Sequence, residues 1–192
     1  GYVSDKSQYL VPYMESSFEE LSKQIEVGNE YAMIAALGRF DVDFENQRSI
    51  ALKLVVKGHT GAALSHLVLI ELSNSEMIYK KTGIISADIK ESINKAMGYV
   101  AYGTQQVDLS ALSTYLLTVS SPDFPSELKY LLSKDNNINK YTLALEAYIN
   151  KSRFDENFDL ATPDRKPKAV KHDFENTLAY LYREYGSEIN HL

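Results

Sequence analysis

His59 and His66 stand seven residues apart in "VVKGHTGAALSHL" (55–67) and are two of the chain's four histidines. Imidazole is the commonest metal-binding side chain and the one that titrates nearest neutral pH. This pair is therefore the first place to look for metal or acid–base chemistry. On one helix, zinc is held by histidines at i and i+4 with a carboxylate nearby. Seven residues advance about 10 Å along a helix axis, too far for two ligands of one ion. No third histidine or cysteine flanks them. The spacing predicts a turn residue at His59 and a packed histidine at His66, with no metal ligand.

Oxygen ligands offer a second possibility. In "DNNINKYTLALE" (135–146), Asp135, Asn137, Asn139 and Glu146 occupy positions 1, 3, 5 and 12 of a calcium loop. Against it, Lys140 stands where glycine makes the sharp turn, and Leu143 stands where a polar ligand belongs. The competing reading is a helix–helix turn in which an Asn caps a helix from about residue 139. Asp41, Asp43 and Glu45 in "DVDFEN" lack both the glycine and the closing Glu, and read as acids at a helix start. The basic stretch "RKPKAVKH" (165–172) has no interleaved aromatics and reads as a solvated linker rather than a nucleic-acid patch. Carboxylates such as Glu19 and Glu20, Glu71 and Glu76, or Glu175 and Glu184 become catalytic only if the fold pairs them. The chain has no G-x-S-x-G, phosphate-binding glycine loop or H-E-x-x-H. We expect no catalytic residue, metal or cofactor.

Composition narrows the class. The 192 residues are 44% hydrophobic and 24% charged, with net charge −6 and no cysteine. An acidic chain sets up no global field for nucleic acid, and the missing thiols remove disulfides and thiolate metal sites. No apolar run approaches the ~18 residues of a membrane span. The sequence begins at Gly1 without a Met, as after removal of a leader or tag. Compartment thus stays open between cytoplasm and the bacterial periplasm or exterior. Oligomeric state is not legible.

The elements that must position these residues are helices. Apolar residues recur at helical spacing and alternating strands are missing. Phe18, Leu21 and Ile25 make one stripe ending at Gly28; Asn29 caps the next helix. Phe44, Gln47, Ala51 and Leu54 or Val55 make another, ending at Gly58. "HTGAALSHLVLIELSNS" is apolar on most sides and therefore packed on both. Ser86 caps a helix that Gly103 stops, and helical segments follow "DLS", "SPDFP" and "NNI". The polar segment 153–169, with Pro163 and Pro167, reads as a linker. A last helix over 170–188 carries Phe174, Leu178, Leu181 and Tyr185 on its stripe.

Sliding the chain by thirty residues lays Gly28 on Gly58, Ala32 on Ala62 and Leu37 on Leu67. A slide of forty-five lays Asp43 on Asp88 and Gly58 on Gly103. Helix pairs joined at a glycine, with a small residue opening the next helix, are the signature of stacked repeats. "DFENQRSIALKLVVKGH" (43–59) and "GNEYAMIAALG" (28–38) resemble a Sel1-like repeat, a relative of the tetratricopeptide repeat. The chain departs from that pattern at Leu54-Val55 (Ala-Ala in the family), at Leu67-Val68 (Leu-Gly), and after Phe40, where a Gly-rich insert is missing.

The resemblance implies an all-α fold of antiparallel helix pairs, stacked as a short TPR/Sel1-like solenoid over 10–152, with the C-terminal helix packing on it. It implies Gly28, Ala32, Gly58, Ala62 and Gly103 as joint residues. It also implies a non-enzymatic scaffold for a protein or peptide partner. With 14 tyrosines and no tryptophan, Tyr31, Tyr99, Tyr102, Tyr115 and Tyr148 are the expected lining. Tyrosine offers rigid amphipathic contact area, although filling gaps between helices is its competing use. The alternative function is a helical domain that binds a small ligand or calcium through 135–146.

Overall fold

The computed structural model describes residues 7–132, 138–155 and 168–189. Among them every regular element is helical: α1 (Ser7–Met14), α2 (Phe18–Glu26), α3 (Glu30–Ala36), α4 (Phe44–Val56), α5 (Thr60–Thr82), α6 (Ala87–Gln105), α7 (Ser110–Ser120), α8 (Ser126–Leu132), α9 (Ile138–Asp155) and α10 (Lys168–Ile189). None is long and apolar enough to cross a membrane.

Side chains start these helices where the sequence offers them. A helix leaves its first backbone N–H groups without partners, and short polar side chains accept from them. Ser17 and Glu20 form a reciprocal capping box on α2. Asn29 accepts from the amides of Tyr31 and Ala32, Asp43 from Asn46, and Ser86 from Ile89.

Two joints share one hydrogen-bond design. After α2, Gly28 N–H donates to Ile25 and Asn29 N–H to Gln24. After α4, Gly58 N–H donates to Val55 and His59 N–H to Leu54. Both glycines hold left-handed φ, +84° and +90°, as this helix ending requires.

The third joint corrects the expectation at Gly103. That glycine lies inside α6, and the same bond pair is made by Val107 N–H to Thr104 and Asp108 N–H to Gly103. Val107 takes the left-handed position at φ +59°, the only non-glycine with positive φ among the described residues. The second and third joints are therefore separated from residue 58 to residue 107, one helical turn more than the forty-five-residue slide. Nor are Asp43 and Asp88 equivalent: Asp43 is a cap, whereas Asp88 follows the cap Ser86. Gly103 instead permits close packing, since a Cβ there would lie 3.1 Å from the Asp108 carbonyl oxygen and 3.4 Å from Leu64 Cδ1.

Successive joints touch. His59 Nε2 lies 2.6 Å from Glu30 Oε2, joining the second to the first. Thr60 Oγ1 donates to Asp108 Oδ2 at 2.9 Å, joining the second to the third. Ala32 is buried at the first joint, but Ala62 is exposed. The tight approach at the second falls to Gly61, whose absent Cβ would stand 3.3 Å from Asp108 Oδ2 and Ser110 Oγ.

α5 runs through the centre, packed against α4, α6 and α7, and its Leu64, Leu67, Val68 and Leu72 are fully buried. α9 lies on α6 and reaches α4, burying Leu145 and Ile149. Its approach needs Gly98, where a Cβ would come within 2.8 Å of Tyr141 Cβ and 3.2 Å of its carbonyl carbon. At its far end Arg153 Nε donates to the Val56 carbonyl at 2.9 Å, placing a cation on the C-terminus of α4. α9 runs three residues into the expected linker, of which 156–167 lies outside the described residues. α10 packs on α7 and buries Leu181.

Candidate functional site

The chain between α3 and α4 turns at Gly38, which has φ +76°. Arg39 pins the turn. Its Nε and Nη2 meet Asp41 Oδ1 and Oδ2 at 2.8 and 2.7 Å, and its Nη1 donates to the Ser16 carbonyl at 2.8 Å. That bidentate partner holds the Asp41 carboxyl below its usual range. Phe40, at the tip, is fully exposed.

Gln47 ties this turn to the core. It lies on the apolar stripe of α4 and is buried. Its amide nitrogen donates to the carbonyls of Arg39 at 2.8 Å and Val42 at 2.7 Å. With both amide hydrogens committed, the side-chain oxygen faces His66 Nε2 at 2.5 Å. An oxygen can only accept there, so Nε2 carries the hydrogen and Nδ1 carries a lone pair. Burial lowers the His66 pKa, so the ring is neutral near pH 7.

The turn, the start of α4 and the middle of α5 enclose a groove of about 450 Å³, within the usual range for ligand sites. Phe40, Val42, Phe44, Leu69 and Ile70 supply its apolar wall; His66 and Ser73 bring polar atoms. Leu69, in the centre of α5, remains 42% exposed. The site combines a floor braced by hydrogen bonds, an exposed aromatic rim and an imidazole acceptor held in one tautomer.

A second cluster is structural. Glu71 is 0% exposed; its Oε1 accepts from Arg48 Nε at 2.8 Å, and its Oε2 has no partner among the described residues. Arg48 Nη1 also meets Glu45 at 2.5 Å. Burial, and then the Glu71 charge, push the nearby Tyr99 hydroxyl well up, so that it remains protonated.

The tyrosines do not line one face. Tyr99, Tyr102 and Tyr115 are buried. α9 covers the first two: Tyr99 shares a small pocket with Tyr141, Leu145 and Tyr148, and Arg153 and Glu146 of α9 act electrostatically on Tyr102. Tyr31 is half-buried, its ring 5.8 Å from that of Tyr9 and 6.4 Å from that of Tyr13. Tyr148 is exposed.

Other sequence candidates also resolve locally. Asn139 and Glu146 both lie on α9, seven residues and about 10 Å of helix apart, whereas Asp135 and Asn137 fall outside the described residues. Each acid of "DVDFEN" has its own partner: Arg39 for Asp41, the α4 amides for Asp43, and Arg48 for Glu45. Glu19 pairs with Lys23, Glu76 with Lys80, and Glu184 with Arg183. Among the described residues no three His, Asp or Glu gather as a metal site. The basic stretch 165–172 lies outside the described side chains.

Sequence reasoning missed Phe40 and Leu69 as a joint surface. Its available signals were a phenylalanine in the polar turn 38–43 and a glutamine on an apolar stripe. Comparison with protein-family models, with curated proteins and with solved structures returned no match.

Proposed function

We propose that this protein is a non-enzymatic helical-repeat scaffold, a short TPR/Sel1-like stack, that holds a protein or peptide partner. The observation that carries this reading is the rigid apolar groove. Phe40 and Leu69 stay exposed over walls fixed by the Arg39–Asp41 and Gln47 bonds. Large apolar side chains left open on a braced turn are typical of interaction sites. Support for the stack comes from three joints of one hydrogen-bond design, side by side and bonded to each other. Because α9 covers the α4–α6 face, we assign the partner to the groove rather than to a tyrosine-lined concave face.

The test is to pan a random-peptide library against the native chain and against a Phe40→Ser/Leu69→Ser variant of equal thermal stability. Enrichment on the native chain that the variant loses supports the reading. No enrichment, or enrichment indifferent to the variant, overturns it.

A further inference from the structure

Resting on the groove reading, we propose that its occupant is an aromatic side chain carrying its own hydrogen-bond donor, the indole N–H of tryptophan, which donates to His66 Nδ1. The lock on His66 runs outward from the backbone. The carbonyls of Arg39 and Val42 orient the Gln47 amide, the Gln47 oxygen holds Nε2–H, and Nδ1 is left as an acceptor. Among the described residues nothing donates to Nδ1. His66 shares the groove with Val42, Leu69 and Ile70, and an occupant ring without a donor would cover this acceptor and leave it unpaired.

The charged residues of the lining are already paired. An anion finds no free guanidinium, since Arg39 is committed to Asp41 and the Ser16 carbonyl. The Asp43 carboxylate already accepts from the Asn46 amide and side chain. Val42, Phe44, Leu69 and Ile70 suit a flat apolar ring, and Phe40 stands beside it as a second aromatic surface.

The experiment uses the full chain with ¹⁵N-labelled histidine, titrated with N-acetyl-tryptophanamide, its 1-methyl-indole derivative and free indole. Before ligand is added, His66 should show an unprotonated Nδ1; a protonated Nδ1 would overturn the inference. N-acetyl-tryptophanamide should shift the His66 signals saturably and bind at least about tenfold more tightly than the 1-methyl derivative. A His66→Phe variant should abolish that difference. Equal binding of the two would overturn the donor requirement while leaving the groove reading intact. Failure of every probe to bind would overturn both. Free indole that binds while N-acetyl-tryptophanamide does not would overturn a side chain as the source.

Discussion

Val107 sits where Gly28 and Gly58 sit, with the same two backbone bonds and the same left-handed φ. For a β-branched residue this backbone is a true outlier, costing about 1–2 kcal/mol. Replacing Val107 with Gly removes that strain. It also gives up roughly 0.8 kcal/mol from a half-buried side chain and about 0.4–1 kcal/mol through a looser unfolded chain. The opposing effects nearly cancel, so Val107→Gly should leave stability within about 1 kcal/mol of the parent. The reverse change at the matching joint, Gly58→Val, introduces the strain, offset in part by a stiffer unfolded chain, and should cost about 1 kcal/mol. Urea unfolding followed by far-ultraviolet circular dichroism measures both, provided that the m-values agree. A loss above about 2 kcal/mol for Val107→Gly would show that packing holds the third joint, and a neutral Gly58→Val would show that the second does not need its left-handed glycine.

Arg48→Met strands the buried Glu71 carboxylate and should cost about 3–5 kcal/mol, whereas Arg48→Met with Glu71→Met should recover most or all of it; chemical denaturation of both variants decides. Gly98→Ala gains up to ~1 kcal/mol of helix propensity but drives a methyl into the Tyr141 backbone, so a net loss of about 1–2 kcal/mol should appear with faster hydrogen exchange in 138–155 than in α5. Burial depresses the folded pKa of His66, so its contribution to stability is complete above the unfolded value near 6.5 and falls as pH drops through the folded value. Comparing the pH dependence of unfolding for the native chain and His66→Gln should isolate that slope; identical curves would count against it.

Local physics was readable in the sequence. Asn29 and Ser86 cap as their amide and hydroxyl chemistry demands, Asp43 stands at a helix start, and Gly28 and Gly58 end helices where left-handed backbone is cheapest. The third joint was hidden because a valine occupies the position that a search for glycines examines, while Gly103 serves packing instead. Tyrosine exposure was not readable: whether Tyr99 and Tyr102 meet water is decided by α9, some forty residues further on. The groove was hidden for a similar reason. Gln47 and His66 each look ordinary along the chain, and they acquire a joint role only when α5 is laid against the 38–43 turn.

The placement of α9 has a consequence for synthesis. Thr142 meets the Gly98 carbonyl across 44 residues, and Arg153 reaches the end of α4 across 97. At about 5–20 residues per second, a ribosome finishes α6 roughly 2–7 s before it reaches Thr142 of α9. For that interval the face of α6 that α9 will bury lacks its α9 partner. That face is open to chaperones, or to mispairing with a neighbour, in the seconds between α6 and α9.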